Sequence, residues 1–264
     1  MGNFLEAAVE AAKLGGDVLR QSYEKAKKIE YKGEIDLVTE VDRRSEQLMV
    51  DLLSSRFPHH SILAEEGSNS SKSSGYKWVI DPLDGTSNYA HDYPFFCVSI
   101  GLEKEGEIIA GVVYHPIFEE LFAAEKGGGA FLNGRRIRVS MVSNLRQALL
   151  ATGFPYDVLA DPDEAMAHFR NFMHVSQAVR RDGSAALDLC YLAMGRFDGF
   201  WELRLKPWDT AAGVIIVSEA GGRVTNFQGE SFSIYEDNIL ASNGLLHEAM
   251  RTVVRRGEPR SGSN

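Results

Sequence analysis

The sequence predicts a layered α/β protein with mixed and antiparallel sheets rather than a doubly wound parallel sheet. Three observations support this: helical periodicity opens the chain, hairpin-like β texture fills its middle, and helical and strand patterns alternate in its second half. No repeat or linker divides it. Residues 1–256 are therefore expected to form a single domain, with 257–264 as a flexible tail.

Apolar residues Phe4, Leu5, Val9, Ala12, Leu14, Val18 and Leu19 recur at helical spacing within residues 3–28. A second helix is expected from about Glu40 to Phe57, ended by Pro58. Ser61–Ala64 and Trp78–Ile80 have the length and apolarity of buried strands, joined by a polar loop over 67–76. Between Phe95 and Val139, the tetrapeptide Lys104-Glu105-Gly106-Glu107 predicts a hairpin, and Lys126–Gly129 and Asn133-Gly134 mark further turns. Helices follow near 162–178, Ser184–Met194 and 209–219, then a terminal one over 244–255; strands are expected at Gly199–Leu203 and Ile239–Ala241.

Lys and Arg number 28 against 37 Asp and Glu, a net charge of −9. Such a chain repels nucleic acid and anionic membrane, so a phosphorylated ligand would need bound cations to attract it. Cys97 and Cys190 lie in apolar runs and read as reduced core residues. No secretory leader, myristoylation signal or 18-residue apolar span is present, which predicts a cytoplasmic location.

Acidic residues concentrate between Glu34 and Asp84. Glu40, Asp42 and Glu46 have a surface explanation, as acids at the start of an amphipathic helix. Glu65, Asp81 and Asp84 instead follow apolar strands, where their side chains would be shielded from solvent. Carboxylates about 4 Å apart repel by roughly 4 kcal/mol at an effective dielectric near 20, so such a group needs a cation or a proton. Oxygen-only ligands favour Mg²⁺, Mn²⁺ or Ca²⁺. In Asp81-Pro82-Leu83-Asp84-Gly85-Thr86-Ser87, a turn opening a short helix would aim the N–H groups of Gly85, Thr86 and Ser87 at one point, an anion site beside the cation site.

These residues resemble the inositol monophosphatase family, and most of all its bacterial members. The likeness rests on Trp78–Tyr89, Trp208–Gly213 with Glu219–Gly222, Asp36–Asp42, Leu63–Glu66 and Arg181–Asp188, in the expected order from about residue 5 to 253. It implies an αβαβα sandwich of the fructose-1,6-bisphosphatase/inositol monophosphatase type. It also implies two or three Mg²⁺ ions, for which Mn²⁺ can substitute. Glu65, Asp81 and the Leu83 carbonyl would hold one; Asp81, Asp84 and Asp209 a second; a third would sit beside Glu65 through water. Asp36 and Thr86 would activate the attacking water. Asp84 and the Gly85 and Thr86 amides would meet the phosphate, and Gly183, Ser184, Ala185 and Glu202 the alcohol. The expected substrate is a small phosphorylated polyol or sugar, with myo-inositol 1-phosphate first and fructose 1,6-bisphosphate as the alternative. A homodimer, Li⁺ inhibition and a transcription-factor partner role are also implied.

Other readings fit less well. A dehalogenase-type phosphatase needs Asp-x-Asp-x-Thr, and here the acids stand one residue further apart. No P-loop or His-Glu-x-x-His motif occurs. His59-His60 and His91 read as surface residues. Arg180, Arg181, Arg204 and Lys206 could form a basic surface, with ion pairs or a dimer interface as their plainer use.

Overall fold

The computed structural model describes residues 3–23, 29–31, 37–155 and 162–256. Asp36 and Glu34, the end of the first predicted helix (24–28) and the expected tail (257–264) lie outside them.

The chain opens with helix α1 (Asn3–Ser22), a small antiparallel pair β1 (Ile29–Tyr31) and β2 (Leu37–Thr39), and helix α2 (Glu40–Arg56). Seven strands then form one sheet in sequential order: β3 (Ser61–Ala64), β4 (Tyr76–Asp84), β5 (Cys97–Lys104), β6 (Glu107–His115), β7 (Glu120–Glu125), β8 (Gly129–Leu132) and β9 (Arg135–Arg136). Only β3 and β4 run parallel; the rest is an antiparallel meander. Glu105 and Gly106 have φ of 51° and 89°, and Asn133 and Gly134 have 48° and 76°. Both two-residue turns thus use the left-handed conformations that match strand twist. A short helix, α3 (Thr86–Ala90), follows β4.

The second half supplies β10 (Leu149–Thr152), α4 (Asp163–Val175), β11 (Ala178–Arg180), α5 (Ala185–Ala193), β12 (Gly199–Leu203), α6 (Pro207–Glu219), β13 (Arg223–Thr225), β14 (Asn238–Ser242) and α7 (His247–Val254). Its five strands lie in the order β11-β10-β12-β14-β13, parallel in the first three and antiparallel beyond. Sequence reasoning missed β10, β11 and β13, three or four residues each, too short for a two-residue period to register. The expected helix over 162–178 stops at Val175, and Ala178 belongs to β11.

Helices α1 and α2 cover one face of the seven-stranded sheet, and α6 covers the other. Helix α5 packs on α6 and meets β10 and β12, while α4 and α7 close the outer face. The predicted αβαβα order of layers is therefore present. No helix among the described residues is long and apolar enough to cross a membrane.

The middle layer sits close because glycines admit it. Gly101 and Gly111 face each other across β5 and β6. A Cβ added at Gly101 would stand 2.6 Å from the Ala211 methyl, and one at Gly111 2.6 Å from Ile215 Cγ2 and 2.8 Å from the Ala212 carbonyl. On the helix's other side, a Cβ at Gly213 would lie 2.5 Å from Leu189 of α5. Helix α6 is thus wedged between sheet and helix, which sets the position of its first turn. Gly111→Val should lower stability by about 1–3 kcal/mol through overpacking, read by chemical denaturation. A variant as stable as the parent would show that α6 has room to move.

Candidate active site

Strand β4 does not end at Ile80, as the apolar run suggests, but continues to Asp84 through an irregularity. Asp81 pairs with Ser99 and Asp84 with Cys97, so three steps on β4 match two on β5. In a regular strand, residues three apart point to opposite faces; one extra residue brings both acids toward the same side. Pro82, with no N–H to give the ladder, stands at the break. The Leu83 N–H donates to Asp81 Oδ1 at 2.9 Å, and the Thr86 hydroxyl donates to the Leu83 carbonyl at 3.1 Å. Gly85 has φ 97°, and a Cβ there would lie 2.9 Å from the Phe95 carbonyl. Helix α3 starts directly after it, as expected.

Distant segments complete the cleft. Asn88 Nδ2 donates to the carbonyls of Phe95 (2.7 Å) and Asp182 (2.8 Å), tying the first motif to the Arg181–Asp188 run. Ser184 caps α5, and its hydroxyl donates to Asp84 Oδ2 at 2.6 Å; the Ala186 N–H reaches the same oxygen at 2.7 Å. Asp84 is thus held at a helix N-terminus, where partial positive charge favours a carboxylate. At the start of α6, Asp209 Oδ2 accepts from the Lys206 N–H at 2.7 Å. Glu202 comes from β12, and Gly153 lies so close that any Cβ there would meet its carboxylate. Two adjoining hollows share Asp84, Gly85, Thr86, Phe154, Glu202, Leu205 and Asp209. One extends to Glu65, Asp81 and Leu83, the other to Arg181, Gly183, Ser184, Ala185 and Asp188. Every predicted site residue among the described residues lines this cleft; Asp36 lies outside them.

Two acids assigned to the surface are not there. Asp42 and Glu46 are each 1 % exposed. Helix α2 turns them inward with Ser45, whose hydroxyl donates to the Pro82 carbonyl at 3.3 Å. Glu46 accepts from the Glu66 N–H (2.7 Å) and the Ser68 N–H (3.0 Å), gripping the turn just after Glu65. Asp42, one turn earlier, sends its charge toward Tyr89 of α3. The spacing of Asp42, Ser45, Glu46 and Met49 on one helical face could have shown this, had a buried polar stripe been weighed beside the apolar one. His60 is likewise half-buried, stacked on Tyr76 with centroids 4.7 Å apart, whereas His59 and His91 are exposed. Arg204 is half-buried, with one guanidinium nitrogen shielded from solvent, and lines the cleft.

The electrostatics centre on Asp81. Burial holds its carboxyl well above the ordinary range, and repulsion from Glu65, Asp84 and Asp209 adds to it. Burial lifts Asp84 to about 6, against the hydrogen bonds from Ser184 and the α5 backbone. Asp209 is raised by burial and then by Asp84, and Glu202 by burial, then Asp209 and Asp84. Among the described residues no three such side chains form a finished ligand cage. Asp81, Asp84 and Asp209 are nevertheless each oriented by a hydrogen bond to one oxygen. An oxygen-only set with this excess of negative charge fits a hard divalent ion such as Mg²⁺ and gives a soft metal no purchase.

The model of the inositol monophosphatase family matches residues 1–258. The chain belongs to that family. An inositol-1-monophosphatase from Synechocystis sp. is 44% identical over 249 residues, covering 94% of this chain and 87% of the relative. A Pseudomonas aeruginosa protein named Nus factor SuhB is 41% identical over 268 residues, 99% of each chain. The crystal structure of the extragenic suppressor protein suhB from Bartonella henselae superposes with a TM-score of 0.93 at 40% identity, covering 97% of this chain and all of that one. Membership makes this chain a phosphoric monoester hydrolase in class and accounts for the layered fold.

Groups with raised folded pKa bind protons more tightly folded than unfolded, so stability falls as pH rises through that window. For Asp84 the window runs from 3.8 to about 6. Metal-free protein should melt roughly 2 °C lower at pH 8 than at pH 5.5 on the Asp84 shift alone, and Mg²⁺ should recover most of the loss at pH 8. A melting temperature indifferent to pH and Mg²⁺ would contradict this. Glu46→Ala removes the acceptor of two part-buried N–H groups and should cost about 1–3 kcal/mol, read by urea denaturation.

Proposed function

We propose that the chain hydrolyses a small phosphate monoester with Mg²⁺, and that myo-inositol 1-phosphate is its best substrate. The observation that carries this is the convergence of Glu65, Asp81, Asp84 and Asp209 from three separate segments, each raising another's affinity for protons, beside the first turn of α3. Glu65, Asp81, the Leu83 carbonyl, Asp84 and Asp209 would hold the ions. Bound there, divalent ions neutralise phosphoryl oxygens and make water a better nucleophile.

The residues themselves do the rest. The N–H groups of Gly85 and Thr86, in the first turn of α3, receive the phosphate and offset its charge. The Thr86 hydroxyl, held beside the Leu83 carbonyl, orients the attacking water and takes its proton as its own O–H turns from that carbonyl to a carboxylate. Asp36 is the first candidate for that carboxylate, and buried Asp42 is the second. Gly183, Ser184, Ala185 and Glu202 face the alcohol. A polyol suits Glu202, whose buried carboxyl needs hydroxyl partners. On the same reading the enzyme is a cytoplasmic homodimer inhibited by Li⁺. The likeness to a protein named Nus factor SuhB favours a second, accessory role in transcription.

Purified protein should release phosphate from inositol 1-phosphate in Mg²⁺ but not in EDTA, and faster than from fructose 1,6-bisphosphate by kcat/KM. Asp81→Asn and Asp209→Asn should each lower kcat by more than about 100-fold while the fold persists. Comparing Asp36→Asn with Asp42→Asn identifies the proton acceptor, since only its loss should lower kcat by about 100-fold with KM retained. Full activity in EDTA would end the reading.

A further inference from the structure

One buried acid in the cleft has no place in that scheme. Asp188 lies in the first turn of α5, 1 % exposed, and its Oδ1 has no hydrogen-bond partner. It lines the hollow that also holds Glu202, Ser184, Gly183 and Arg181. Its neighbours offer little compensation: Asp182, Glu202 and Asp84 repel its charge, and only Arg181 opposes them. Buried carboxyls without partners are uncommon because each forfeits its water, so one retained on a cavity wall is poised for a donor brought by a ligand.

Two such groups share this wall. Glu202 is 7 % exposed and receives a hydrogen bond from the Gly153 backbone, while Asp188 Oδ1 receives none. Asp84, a few residues from the proposed phosphate seat, lies near both. Burial favours the protonated form of both carboxyls, and a neutral carboxyl can donate to one hydroxyl oxygen and accept from another. Adjacent hydroxyls on an alcohol satisfy that pattern. A plain alkyl or aryl alcohol leaves Asp188 Oδ1 unpaired and gives Glu202 no partner beyond the Gly153 N–H.

We propose that Asp188 is a specificity-determining residue which, with Glu202, reads neighbouring hydroxyl groups on the alcohol part of the substrate. The proposal rests on the phosphatase reading above and adds a requirement for a polyol with at least two free hydroxyls on the side facing α5.

The test compares kcat/KM for myo-inositol 1-phosphate with that for p-nitrophenyl phosphate, which has no hydroxyl to read. Asp188→Leu keeps the branched outline of the side chain and removes both hydrogen-bonding functions. The preference for the inositol ester should fall by about 10- to 100-fold, the worth of one hydrogen bond at a buried site. Asp188→Asn, which keeps a donor and an acceptor, should hold the preference within about threefold of the parent. If the leucine variant lacks a thermal transition, Asp188→Ala takes its place with the same expected fall. An unchanged ratio in the leucine or alanine variant overturns the proposal, as does a preference for O-phosphoethanolamine over glycerol 2-phosphate, which would mark an ammonium site. If the parent hydrolyses neither ester with Mg²⁺, the phosphatase reading fails. If it hydrolyses both with equal kcat/KM, the Asp188 assignment alone fails.

Discussion

Mutual repulsion among buried carboxylates is the constraint on which the rest depends. Asp81 cannot carry its charge beside Glu65, Asp84 and Asp209 without a proton or a cation to balance it. A fold that gathers such groups stores an unfavourable interaction at one place, and the surrounding architecture serves to keep it there. The register break in β4 turns two acids to one side. The N-termini of α5 and α6 supply N–H groups to Asp84 and Asp209. Those bonds orient the carboxylates and soften the repulsion without removing it.

The middle helical layer connects packing to chemistry. Helix α6 lies on Gly101 and Gly111 at one side and takes Leu189 against Gly213 at the other. Small residues allow backbones to approach until little freedom remains, and interiors at crystal-like density transmit displacement rather than absorb it. Asp209, in the first turn of that helix, inherits its position from contacts made within the next two turns. Glu202 depends in the same way on the bare backbone of Gly153.

Much of this was legible in the chain. Residues Trp78–Thr86 carry an apolar strand, a proline, two acids and a glycine in an order that few other arrangements satisfy. The turns at Glu105-Gly106 and Asn133-Gly134 were readable because left-handed φ selects a narrow set of residues. The short strands β10, β11 and β13 were not, because three or four residues do not display a period. Asp42 and Glu46 were misplaced because a charged helical position reads as solvated unless the partner that buries it is known, and the backbone N–H groups of Glu66 and Ser68 lie some twenty residues on.

By itself the sequence determined the kinds of groups available: oxygen ligands without a cysteine or histidine cluster, a glycine-bounded turn for an anion, and a layered order of helices and strands. Only the tertiary structure decided which acids meet. Burial and proximity belong to pairs of segments, and no local pattern in either one records the other. That is why Asp188, which the sequence offered only as the end of the Arg181–Asp188 run, emerges as a buried carboxyl on the cavity wall whose Oδ1 has no partner.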